Sequence, residues 1–114
     1  MTIQIIHDTI STELGDGGPV AVPLSVPACI TSGVGFDSTE AEGLQAGVWS
    51  CSEGSFQRQV ESGEVMHILA GAGSFTTREG KRYDFKAGDT LYFPPNTHGA
   101  WQIDAAVRKV YVMV

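Results

Sequence analysis

The sequence predicts an all-β fold, a sandwich or small barrel in one domain, and three observations carry that expectation. Fourteen glycines and five prolines punctuate 114 residues, which leaves little room for long helices. The segments between them are short and rich in Val, Tyr, Phe, Trp and Thr, residues that suit a pleated, half-buried surface. These segments recur at even spacing, with Gly, Pro, Asp or Ser between them, as in all-β domains.

Taken in order, "TIQIIHDTI" (2–10) is a strand candidate. "STELGDGGPVAVPLSVPAC" (11–29) reads as irregular, because Gly-Gly-Pro and three spaced prolines interrupt any regular element. "STEAEGLQAG" (38–47) has room for one helical turn. A regular series of strand candidates follows: "QAGVWSCS", "SFQRQV", "EVMHILAG", "AGSFTTREG", "KRYDFKAG", "DTLYFPP", "GAWQID" and "VRKVYVMV". Glu79-Gly80 suits a hairpin turn that needs a positive φ, and Gly88 is the expected turn glycine of "KAGD". Pro94-Pro95 must end a strand, because neither can donate to a ladder. The expected division is an arm over 1–46, with an N-terminal strand, packed on a barrel core over 47–114.

Composition excludes some functions. The net charge is −6, with 7 basic and 13 acidic residues. Binding to a duplex needs Lys and Arg to displace counterions from phosphate, so no nucleic-acid partner is expected. No apolar run approaches the ~20 residues of a membrane span, so no membrane partner is expected. The N-terminus lacks the charged flank and cleavage site of a signal peptide, and the expected compartment is the cytoplasm. Cys29 and Cys51 form no C-x-x-C pair and read as reduced, buried thiols.

"EVMHILAG" (64–71) and "GDTLYFPPN" (88–96) resemble the cupin superfamily, small jelly-roll β-barrels. Its first motif is G-x5-H-x-H-x3-4-E-x6-G and its second G-x5-P-x-G-x2-H-x3-N. Gly47-Val48-Trp49 and the Arg108-Lys109-Val110-Tyr111 ending make the chain similar to single-domain cupins related to (S)-ureidoglycine aminohydrolase. The resemblance spans about 47–114. It implies a metal held by three histidines and a glutamate. Here Glu64 fits the glutamate slot. The first two histidine slots fall on Gln57 and Gln59, or on Arg58 and Val60, according to the spacer. Asn96 takes the glycine slot of the second motif, and Gly99 takes its histidine slot.

One ligand of four is a poor metal site, since zinc, manganese and iron want at least three His, Cys or carboxylate donors. No cofactor is therefore expected, although a divalent metal remains the family's usual partner. A weak alternative pairs Glu64 with His98. Strand alternation sets His98 on the face opposite Gly99, Trp101 and Ile103, and so outward. His67 has the opposite parity to Glu64, Met66 and Ile68, and reads as an outer-face or subunit-contact residue. His7 has no ligand-like neighbours in sequence.

Glu64 is then the central candidate, as the catalytic residue if there is one. A buried carboxylate without a metal must be paired, hydrogen-bonded or protonated. Its partners are Gln57 and Gln59 if odd positions face inward, or Arg58 if even positions do. Trp49, Tyr92, Phe93 and Trp101 are candidate walls of a pocket for a small molecule. Three functions follow. The first is binding of a small polar metabolite without a metal. The second is an aminohydrolase-like enzyme with Glu64 as acid or base. The third is a ligand-free dimerisation module, with "IQII" and "VYVMV" as its contact. A homodimer is expected.

Overall fold

The computed structural model describes residues 2–37, 39 and 43–114. It is an all-β jelly roll of eight strands: β1 (Gly15–Pro19), β2 (Ile30–Gly35), β3 (Ala46–Cys51), β4 (Gly54–Gln57), β5 (Glu64–Thr77), β6 (Arg82–Lys86), β7 (Thr90–Phe93) and β8 (Gly99–Met113). Every pairing is antiparallel. The order is β1-β2-β3-β8-β5-β6, with β4 also on β8 and β7 also on β5.

The two long strands organise the rest. β8 pairs with β4 through its first half and with β3 through its second, and it runs beside β5 throughout. β5 takes β7 near its start and β6 near its end. Each long strand was expected as two short ones. The structure corrects this: the register shifts at Ile68/Ala70, Ala70/Ala72 and Ala72/Gly73 bend the pair without ending it. The glycines responsible are sites of close approach. A Cβ on Gly71 would lie 2.3 Å from the Ala106 carbonyl oxygen, and one on Gly73 would lie 2.1 Å from that of Gln102.

The N-terminal arm also differs from expectation. "TIQIIHDTI" is not a strand. Its isoleucines Ile3, Ile5 and Ile10 are exposed. Among the described residues, the arm is tied down by other bonds. The Gln4 side chain exchanges hydrogen bonds with the Asp37 backbone, and Arg108 Nη1 donates to the carbonyls of Thr9 and Thr12. Two strands of the segment arise instead from the glycine-rich stretches "GDGGP" and "ITSGVG". These pair with each other, and β2 pairs with β3, so residues 15–35 extend the barrel sheet. The helical turn expected over 38–47 takes in residues 38 and 40–42, which lie outside the described set.

The turns follow their chemistry. Gly80 and Gly88 have φ of 92° and 98°, and Asn96 takes a left-handed 61°. β7 ends at Phe93, before the two prolines.

The interior is aromatic and aliphatic: Phe56, Phe75, Phe85, Phe93 and Trp101 pack with Met66, Ile68, Ile103 and Val107. Cys29 and Cys51 are free, buried thiols. Burial and the adjacent Cys29, which also hydrogen-bonds to it, push the Cys51 thiol up to about 12 from 9.0. Between those values the unfolded chain releases a proton that the folded chain keeps, so this contribution to stability is lost as pH rises from about 9 to about 12. Tyr111 acts in the same direction, and Lys109, whose pKa is lowered, acts in the opposite one. The stability advantage of wild type over Cys51→Ala is therefore expected to shrink across that window in urea titrations. An advantage that grows would contradict the burial of this thiol.

Candidate functional site

The site is assembled from alternation along β5 and β8. On β8, Trp101, Ile103, Val107 and Lys109 have one parity and are all buried. On β5, Glu64, Met66 and Ile68 alternate inward in the same way. Register sets Lys109 beside Trp49 on β3 and Ile68 on β5, with Tyr111 beside Met66. A pocket of about 190 Å³ opens there, walled by Trp49, Phe56, Trp101 and Tyr111, with Arg58, Glu64 and Lys109 as its charged groups.

Among the described residues these are the three buried charged side chains. Lys109 Nζ donates to Glu64 Oε2 at 2.7 Å. Arg58 Nη2 lies 3.6 Å from Glu64 Oε1. The guanidinium also fastens the rim: Nη1 donates to the carbonyls of Val60 and Thr97, and Nη2 to that of Ser62. Its Nε is buried without a partner. The Lys109 ammonium lies 4.6 Å from the Trp49 ring centroid and 5.4 Å from that of Trp101, within cation–π range. Its other contact is the Met66 thioether at 3.7 Å, so one donor of three has a strong acceptor. Burial lowers the pKa of both cations, and Glu64 opposes this in each case. Two positive charges thus face one negative charge among buried side chains.

Several expectations are corrected here. Even positions face inward after β4: Phe56 and Arg58 are buried, while Gln57 and Gln59 are exposed. Gln59 reaches the pocket only at its rim. Tyr92 is 60% exposed and lies outside this pocket. Phe93 is buried, stacked on Trp101 at 5.2 Å beneath the Arg58 guanidinium, and does not line this pocket. Both belong to a separate cleft of about 790 Å³ between β6 and β7. That cleft is larger, but its carboxylates Glu79, Asp84 and Asp89 are exposed or half-exposed, and Asp84 and Asp89 already face Arg82 and Lys86. The buried, unbalanced charge lies in the smaller pocket. Trp49, Arg58, Glu64 and Trp101 come together at the pocket. Lys109 and Tyr111 were missed as site residues.

The donor set does not fit a divalent metal. Among the described residues, no three His, Cys, Asp or Glu side chains gather at one point. Glu64 is engaged by two cations, which would repel a metal ion. His98 is exposed on the outer cleft and does not join Glu64. His67 is also exposed, with Nδ1 2.7 Å from Thr90 Oγ1. At Gly99, the family's histidine slot, a Cβ would lie 2.2 Å from the Thr76 carbonyl oxygen and 2.8 Å from Phe75 Cζ. Gly99→His is therefore expected to lose about 1–3 kcal/mol or more through overpacking and to bind no stoichiometric metal. Denaturant titration and elemental analysis would check both. A stable, metal-loaded variant would show that the wall yields.

The comparisons agree with this architecture. A DUF861-family protein from Pseudomonas syringae superposes with a TM-score of 0.80 at 20% identity, over 92% of this chain. The chain spans 46% of that protein's length. A DUF861-family protein from Thermotoga maritima matches with a TM-score of 0.59 at 29% identity, over 60% of this chain and 78% of that one. The EutQ protein of Clostridium difficile matches with a TM-score of 0.68 at 18% identity, over 82% and 79%. Among curated proteins, none matches. The family model for the EutQ-like cupin domain matches residues 38–111, more than half of the chain, and the chain belongs to that family.

Proposed function

We propose that the protein binds a small polar metabolite bearing an anionic group, most simply a carboxylate, in the pocket between Trp49, Trp101 and Lys109. One observation carries this reading: two buried cations surround one buried anion. Buried charge is costly unless paired, and a monoanionic ligand would balance the pocket. The Lys109 donors not used by Glu64 supply its hydrogen bonds, and the indoles and Phe56 supply an apolar wall. At about 190 Å³ the pocket is smaller than drug-sized sites of ~300–1,000 Å³, which suits a compact ligand.

A thermal-shift screen of small carboxylates, amines and neutral polyols tests this. A carboxylate at about 100 times its Kd should add about 2.7 kcal/mol. Lys109→Met, which neutralises the pocket, should abolish the shift. Stabilisation by amines or polyols alone would count against the reading.

The finer resemblance to ureidoglycine aminohydrolase relatives supports a second reading, an enzyme on nitrogenous metabolites with Glu64 as acid or base. It is less favoured, because that resemblance implies a metal, and among the described residues no three His, Cys, Asp or Glu side chains gather to hold one.

We also infer a homodimer. Val112, Val65 and Tyr92 are exposed apolar residues in register across β8, β5 and β7, and a row of this kind suits a subunit contact. Sedimentation should show a dimer that Val65→Lys converts to monomer. A monomeric wild type would remove the inference.

A further inference from the structure

Lys109 has the surroundings of a reacting amine as well as those of a counter-ion. It is a buried residue, and the pocket is the space it lines. Two indoles flank the ammonium. Burial lowers its pKa from the ordinary lysine value, Glu64 opposes this, and Arg58 adds to the lowering. A lysine in an apolar pocket beside another cation is a recurrent setting for attack on carbonyl groups. A proton acceptor is already in place, with Glu64 Oε2 2.7 Å from Nζ. Passing a proton from Lys109 to Glu64 leaves the total charge unchanged. Arg58 retains one positive charge, and the pocket still suits an anion.

We propose that Lys109 forms an imine with the carbonyl group of a small 2-oxo carboxylate held in this pocket. The proposal rests on the reading of the pocket as an anion site, and it adds the reacting class. Glu64 first takes a proton from the ammonium. The freed nitrogen pair forms a bond to the carbonyl carbon while the C=O π pair moves to oxygen. A proton passes from nitrogen to that oxygen and gives the carbinolamine. The Glu64 carboxyl then returns its proton to the hydroxyl, the C–O bond breaks, and water leaves as the nitrogen pair closes the C=N bond. One ammonium and one carbonyl become one iminium and one water, with Glu64 again a carboxylate. No oxidant or reductant is consumed. The ligand's carboxylate offsets the charge of Arg58.

The test uses the full chain with pyruvate and sodium cyanoborohydride, which reduces an imine to a stable secondary amine. Intact mass and peptide mapping locate the product. The chain has three lysines, and Lys81 and Lys86 are exposed internal references. One adduct per chain on Lys109, suppressed by excess acetate, is the expected result. Glu64→Gln should slow the labelling, with circular dichroism to check its fold; if that variant does not fold, the wild-type mapping decides. If pyruvate and acetate stabilise the protein equally and no adduct forms, or only Lys81 and Lys86 are labelled, the imine is refuted and the anion site stands. If neither acid stabilises the protein and Lys109 stays unlabelled, both readings fail.

Discussion

Glu64→Ala is expected to cost about 3–5 kcal/mol, because it strands two buried cations without their shared partner. Glu64 meets Lys109 at 2.7 Å and Arg58 at 3.6 Å. The loss is a large part of the roughly 5–15 kcal/mol that stabilises a domain. Lys109→Met should cost less. It leaves Arg58 and Glu64 as a neutral pair, fills similar volume, and sets an apolar side chain between two indoles. Urea titrations of both variants would check this ordering. If Lys109→Met proves as damaging as Glu64→Ala, the ammonium is a structural pillar and the pocket carries no surplus charge for a ligand.

Trp101→Ala is expected to cost about 3–5 kcal/mol, in the range for large aromatic truncations. The ring stacks on Phe93 at 5.2 Å, meets Phe75 and Phe85 edge-on at 5.1 and 5.6 Å, and lies 5.4 Å from the Lys109 ammonium. The same change opens the pocket wall, so carboxylate-dependent stabilisation should vanish with it. Tyr83→Ala is the contrast. Its side chain is exposed, and surface changes usually stay within about ±0.5 kcal/mol. Comparable losses at the two positions would mean that the aromatic core is packed around a different centre.

Much of the fold was legible in the residues. Strand composition, even spacing and turn chemistry located β3 to β8, and Gly80, Gly88 and Asn96 take the positive φ values expected of their positions. The N-terminal third was less legible. Its strands formed where glycine let chains approach: a Cβ on Gly17 would lie 2.5 Å from Thr31 Oγ1. Its β-prone stretch, 2–10, found no sheet edge, and propensity alone cannot supply a ladder partner.

The site was half legible. Glu64, Trp49 and Trp101 lie where motif and alternation located them. The parity of 56–60 was open because Phe56 and Val60 favour even positions inward while the longer motif spacer favours Gln57 and Gln59; burial of Phe56 with Arg58 decides it. Lys109 carried a readable signal. It has the parity of Trp101, Ile103 and Val107, and a lysine in an inward series must find a carboxylate.

Gly99 bears on how such a chain relates to histidine-bearing cupins. At that point the wall is bare main chain pressed against the neighbouring strand. An imidazole could enter only after the strands had parted, and parted strands without it would leave a void. The two changes are epistatic, each harmful without the other. A single substitution therefore cannot cross between the two states: a histidine at position 99 needs a compensating change in the wall at Thr76 and Phe75.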